Sequence, residues 1–277
     1  MDYQTAENKL SQRKYTEARD IFRKLGDYSD ATQRAEACLP GVAYEEAIAK
    51  LEAGRYAEAL VALQELMETY PDQFPEAPDY AARAQNGVDY NRAATLMAER
   101  KYAEAAQLFE SLGDYDGAPA KARDARYKQA VELLEDGSVN EALNIFTALG
   151  DYEGAADQVA LCNEVNAAID LYTNEKFAEA INAFTALQDR FPLAEDWIEV
   201  CKGDRDNEAN YQRALQLMEL KQFSTANSLF TRLGDYKDAR VHAAYTQQGM
   251  DYQTAVSHLN RGEYDLAIGY LEAIPDF

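Results

Sequence analysis

The chain has 277 residues and carries 49 acidic against 27 basic side chains, a formal net charge of −22 at pH 7. That balance argues against DNA, RNA and anionic membrane surfaces as partners, because phosphate contacts need clustered Lys and Arg. No stretch approaches the roughly 20 consecutive apolar residues of a membrane span, and the N-terminus has neither a basic nor an apolar leader region, so the compartment is unknown and cytoplasmic only by default.

Read in chain order, one pattern recurs at intervals of roughly 40 residues. Units open at Tyr3, Tyr44, Tyr90, Tyr127, Val165, Tyr211 and Tyr252, and Met1-Asp2-Tyr3-Gln4-Thr5-Ala6 returns letter for letter as Met250-Asp251-Tyr252-Gln253-Thr254-Ala255. In the first unit Tyr3, Ala6 and Leu10 form the i, i+3, i+7 stripe of an amphipathic helix. A second helix is predicted to start at Tyr15 and to continue through Ala18, Phe22 and Leu25, with the same start at Tyr56, Tyr102, Val139, Phe177, Phe223 and Tyr264. The small residue recurs in every helix of both kinds, which implies close approach of two backbones.

The first unit ends in Leu25-Gly26-Asp27-Tyr28, which recurs at 112–115, 149–152 and 233–236. Gly26 is expected at a Schellman or left-handed helix cap. Asp27 is expected to N-cap the next helix, with Asp30 in its first turn opposing the helix dipole, and Tyr28 to pack back on the hairpin. Units two and five carry Tyr70-Pro71 and Phe191-Pro192 instead, so a three-unit super-repeat is nested in the array. From Tyr115 to about Glu135 nothing breaks a helix beyond Pro119, which a first turn tolerates, so some first helices should begin well before the register tyrosine. Trp197, the sole tryptophan, falls in the irregular connector of unit five, as a packing plug or as an exposed interface residue. The chain starts and stops close to unit edges with no polar capping unit. This predicts a fragment of a longer protein whose terminal hairpins can self-associate.

The residues of chemistry do not assemble into a site. Cys38, Cys162 and Cys201 have no metal or disulfide spacing and read as core. His242 and His258 lack the i, i+4 spacing of a helical metal pair and read as surface residues. No phosphate-cradling glycine loop is present. The sequence therefore nominates no catalytic residue, no metal and no cofactor, and reads as a non-enzyme.

The run Gly54-Arg55-Tyr56-Ala57-Glu58-Ala59 with Leu63, Leu66 and Tyr70-Pro71 resembles the tetratricopeptide repeat, as does Lys176-Phe177-Ala178-Glu179-Ala180 with Phe184 and Phe191-Pro192. The units are longer than the family's, and four end in Leu-Gly-Asp-Tyr, a departure similar to the divergent repeats of bacterial proteins. The resemblance implies an all-α fold, a right-handed α-solenoid of about seven antiparallel helical hairpins spanning 1–277 as one array. It further implies that first helices line a concave groove that holds a peptide, a helix or a partner protein. In that register the wall comprises Tyr44, Tyr90, Asn91, Tyr127, Lys128, Asn166, Tyr211 and Gln212. Rigid tyrosine rings and amides there suit peptide contacts, and the largely apolar inner positions suit an amphipathic helix. Lys128 is the only basic residue among them, which argues against a carboxylate clamp. The other reading of the tyrosines is packing between helices with hydroxyls at the rim. Two functions follow: a protein-interaction scaffold, or a peptide-gated regulator of an output domain outside this chain.

Overall fold

The computed structural model describes residues 2–275 and 277, and no strand occurs among them. The helices are α1 (Asp2–Ser11), α2 (Tyr15–Leu25), α3 (Ala31–Ala37), α4 (Leu39–Glu52), α5 (Tyr56–Thr69), α6 (Ala77–Ala98), α7 (Tyr102–Ser111), α8 (Ala118–Glu135), α9 (Val139–Leu149), α10 (Ala155–Thr173), α11 (Phe177–Leu187), α12 (Ala194–Glu219), α13 (Phe223–Leu233), α14 (Ala239–Asn260) and α15 (Tyr264–Glu272). They divide into two compact units, residues 1–131 with 148–152 and residues 132–147 with 153–277.

All seven second helices begin at the residue the repeat pattern predicts. First helices α6, α8, α10, α12 and α14 begin well ahead of the register residue, as expected. In the second repeat the long first helix is divided into α3 and α4 at Cys38. Pro40 accounts for the division, because it cannot donate to a carbonyl four residues back and its ring crowds that turn.

Each hairpin tip closes the same way. The residue two before the second helix is left-handed in all seven: Arg13, Gly54, Arg100, Gly137, Glu175, Lys221 and Gly262 have φ between 58° and 85°. The next N–H reaches back five residues, as in Lys14 to Lys9 O at 3.0 Å, Arg55 to Lys50 O at 2.9 Å and Ser138 to Leu133 O at 2.8 Å. This is the Schellman arrangement, and it sits at the hairpin tip rather than at the Leu-Gly-Asp-Tyr segment. Because a left-handed non-glycine residue is strained by about 1–2 kcal/mol and glycine loses about half of that in chain entropy, Lys221→Gly should raise stability by roughly 0.5–1 kcal/mol. Urea denaturation of the variant checks it.

The Leu-Gly-Asp-Tyr segment is a hydrogen-bonded β-turn. Gly26 has φ 55° and ψ −123° and Gly234 φ 58° and ψ −113°, the first central position of a type II′ turn, which favours glycine. The bond across it runs from Tyr28 N to Leu25 O at 3.1 Å, and likewise from Tyr115 to Leu112, Tyr152 to Leu149 and Tyr236 to Leu233. The expected cap is therefore corrected: the glycine turns the chain out of the second helix instead of ending it in a left-handed cap. The N-cap assignment is corrected too. Asp30 and Asp238, three residues beyond the turn aspartate, occupy the N-cap positions of α3 and α14, and neither makes a side-chain cap bond.

The predicted alanines of both helix types, from Ala6 and Ala18 through Ala255 and Ala267, are fully buried. The large residues of the second helix follow suit at Phe22, Leu63, Phe109, Phe146, Phe184 and Phe230, whereas Leu271 of α15 is 38% exposed.

Candidate functional site

The opening tyrosine of a repeat is the hub of a ring cluster. Tyr3 meets Phe22 edge-on at 5.4 Å and Tyr28 at 6.0 Å. Tyr90 meets Phe109 at 5.3 Å and Tyr115 at 5.9 Å, and Tyr211 meets Phe230 at 5.9 Å and Tyr236 at 6.0 Å. The turn tyrosines Tyr115 and Tyr236 thus pack back on their own hairpins as predicted, whereas Tyr28 touches Tyr3 but stays 62% exposed. Edge-to-face geometry lets each ring present its positive rim to a neighbour's negative face. In the second repeat Phe74, from the connector that contains proline, replaces this partner and stacks on Tyr44 at 4.6 Å.

Acids anchor the hydroxyls. Tyr3 donates to Asp30 and Tyr211 to Asp238, the two N-cap aspartates. The turn tyrosines donate to an acid three residues ahead of the register tyrosine: Tyr152 to Asp124 at 3.3 Å and Tyr236 to Glu208 at 2.8 Å. Tyr172 donates to Asp204 at 2.7 Å. The Tyr172 hydroxyl is pushed from 10.0 to about 12 by its bond to Asp204 and then by burial, and Tyr211 rises to about 12 through burial and its bond to Asp238. Burial and the bond to Glu208 raise Tyr236 as well.

The sign follows from linkage. These tyrosines ionise later in the folded chain than in the unfolded one, so their contribution is complete below pH 10 and is lost as pH climbs toward 12. Spectrophotometric titration should show a late-ionising class of tyrosines. Denaturation at fixed pH values should show stability falling between pH 10 and 12, less steeply in a Tyr172→Phe, Tyr211→Phe variant.

The polar position after the register tyrosine divides into two roles. Glu45 accepts the N–H groups of Tyr15 and Thr16, both at 2.9 Å, and the Thr16 hydroxyl at 2.6 Å. It caps α2 from the next repeat, and α2 has no side-chain cap of its own. Asn166 bonds Asn140 at 3.0 Å and Gln253 bonds Lys221 O at 3.0 Å, again onto the start of the preceding second helix. Asn91, Lys128 and Gln212 are exposed. Lys128 pairs with Asp124 at 2.9 Å, and Gln212 donates to Glu208 at 2.9 Å.

Of the predicted wall, then, Tyr44 and Tyr211 are buried at 6% and 7% exposure. Tyr90, Tyr127 and Asn166 are half-buried, and Asn91, Lys128 and Gln212 face solvent. Asn91 and Lys128 lie in the first compact unit and Gln212 in the second. Sequence reasoning missed three glycines inside first helices. A Cβ on Gly41 would fall 2.1 Å from the Tyr15 ring, on Gly87 2.4 Å from Tyr56 and on Gly249 2.6 Å from Phe223. Each ring rests on bare backbone. The available signal was a glycine three residues before the register tyrosine in three repeats.

Other residues of chemistry are structural. The three cysteines are free and buried, and burial raises each thiol pKa. The histidines are half-buried at the surface. The His242 ring lies 5.1 Å from Phe230 with Nε2 3.3 Å from Asp238, and His258 stacks on Tyr270 at 5.7 Å. Trp197 lies in the first turn of α12 rather than in a connector. It stacks on Phe184 at 5.3 Å, meets Tyr172 edge-on at 5.4 Å and lines an open depression of about 290 Å³ with Leu193, Asp196 and Val200. Among the described residues, no group of three or more His, Cys, Asp or Glu is arranged to hold a metal ion. No helix there is long and apolar enough to cross a membrane.

Antiparallel hairpins with one shared register define an α-helical repeat protein, consistent with an all-α solenoid class. The family model for the tetratricopeptide repeat matches residues 42–72, a stretch holding most of α4, all of α5 and Tyr70-Pro71, so this hairpin is similar to a tetratricopeptide repeat. No curated protein and no solved structure matches the chain. Tetratricopeptide proteins are generally non-enzymatic interaction scaffolds that bind proteins or peptides, and the match points to that class.

Proposed function

We propose that the array, acting as one domain, is a non-enzymatic scaffold that holds a peptide, an amphipathic helix or a partner protein along its first helices. The observation that carries this reading is the repeated exposure of a polar side chain at one register position, Asn91, Lys128 and Gln212, beside rings whose other edges are fixed by packing. Within each compact unit such side chains offer hydrogen bonds from rigid helices, so little entropy is lost on binding. With the buried Tyr44 and Tyr211 serving as supports, contact with a partner falls to Asn91, Lys128 and Gln212, with the rims of Tyr90 and Tyr127 and the half-buried Asn166. Affinity capture from source lysate with an Asn91→Glu, Lys128→Glu, Gln212→Glu variant tests it, with circular dichroism to confirm the fold. A protein retained by the natural chain and lost from the variant supports the wall; equal capture by both contradicts it.

A further inference from the structure

The start of α12 repeats that of α6 with one exchange of chemistry. Aligned on their first residues, the two helices bury the same positions: Phe74 ahead of the helix, then Ala77, Ala81 and Ala84 in α6, and Phe191, Ala194, Ile198 and Cys201 in α12. In that alignment Asp196 stands where α6 has Asp79, Trp197 where it has Tyr80, and Val200 where it has Arg83. Arg83 lies over the Tyr80 ring at 5.4 Å. Val200, 46% exposed, brings the indole no charge. Two turn tyrosines carry cations as well, Arg123 over Tyr152 at 5.4 Å and Lys237 over Tyr236 at 5.7 Å. At such distances a ring face attracts a cation, and indole does so most strongly. Yet among the described residues no Lys or Arg lies over Trp197. Phe184 covers one indole face, and Tyr172, its hydroxyl held by Asp204, meets the ring edge-on. Beside these rings lies the open depression of about 290 Å³, lined also by Leu193, Asp196 and Val200. Asp196 is exposed and makes no ion pair among the described residues.

The geometry points to this depression as a binding site for an arginine side chain of a partner polypeptide, seated where α6 carries its own Arg83. The guanidinium lies over Trp197 with Asp196 as its counter-charge, and the aliphatic stem covers Leu193 and Val200. Arginine suits the site better than lysine because its planar, weakly hydrated head stacks on a ring. The positive end of the α12 dipole opposes a cation, but Glu195 and Asp196 in the first turn offset it, and α6 holds Arg83 at the same turn. A net charge of −22 draws a basic partner toward the surface. The site lies wholly within the second compact unit and does not depend on the first-helix wall.

Because Trp197 is the sole tryptophan, its emission reads the site directly in the full chain. The probe is the tripeptide acetyl-Gly-Arg-Gly-amide, titrated in about 0.15 M salt to screen diffuse attraction to the acidic surface. The same peptide with citrulline, the neutral isostere of arginine, is titrated beside it. A saturable change in emission is expected with the arginine peptide, and binding roughly tenfold weaker with the citrulline peptide. Asp196→Asn should weaken binding of the arginine peptide about threefold. Val200→Arg, which restores the α6 arrangement and fills the site from within, should abolish it. Circular dichroism confirms that both variants are folded. No saturable change, equal affinity for the two peptides, or arginine binding unaltered in either variant overturns the proposal.

Discussion

Gly41→Leu destabilises the first compact unit by roughly 3 kcal/mol, at the upper end of overpacking costs. An interior helical glycine normally gains about 1 kcal/mol on replacement by a residue with a side chain, so the sign of the effect is diagnostic. Here the first added carbon would already lie 2.1 Å from the Tyr15 ring, and the ring is held beside Phe74 at 6.2 Å. Chemical denaturation checks the value, and Tyr15→Ala in the same chain should recover much of the loss, since the two residues share one contact. Stabilisation by Gly41→Leu would show that the ring is not seated on the helix backbone.

Phe184→Ala is expected to cost about 3–5 kcal/mol, the range for removing a buried aromatic ring. Phe184 is fully buried and supplies the face on which the sole tryptophan stacks, at 5.3 Å and 9° between planes. Its loss leaves Trp197 with Tyr172 as its remaining ring neighbour, so tryptophan emission should shift to the red in the folded state and the denaturation midpoint should fall together. An unshifted spectrum with native stability would contradict the assignment of Trp197 as a packing plug.

Much of the fold is legible in the sequence because the repeats compare themselves. The x-x-Ala start of each second helix, opened by an aromatic residue in six and by Val139 in the seventh, is a local signal, and it places all seven starts. The turns read less well. Glycine in Leu-Gly-Asp-Tyr signals positive φ, yet ψ separates a type II′ turn from a left-handed cap, and ψ is set by the next hydrogen bond. Four of the seven left-handed caps escape notice because Arg13, Arg100, Glu175 and Lys221 fill them, residues whose strain is offset by the five-residue back-bond of the Schellman arrangement. Register likewise identifies Tyr44, Tyr90, Tyr127 and Tyr211 as equivalent, but exposure depends on what each connector lays over them. Phe74 stacks on Tyr44, and Tyr236 and His242 flank Tyr211. Amide and acid partners such as Asn140 for Asn166 come from the neighbouring repeat and leave no trace in local spacing.

Site-specific photo-crosslinking in source lysate tests the scaffold reading most directly. A photoreactive residue is placed at Asn91 or Gln212 on first helices, or at Glu141 or Glu179, exposed on second helices. The account predicts one protein species cross-linked from positions 91 and 212 and absent from 141 and 179. Cross-links that arise only from the second-helix positions would contradict it.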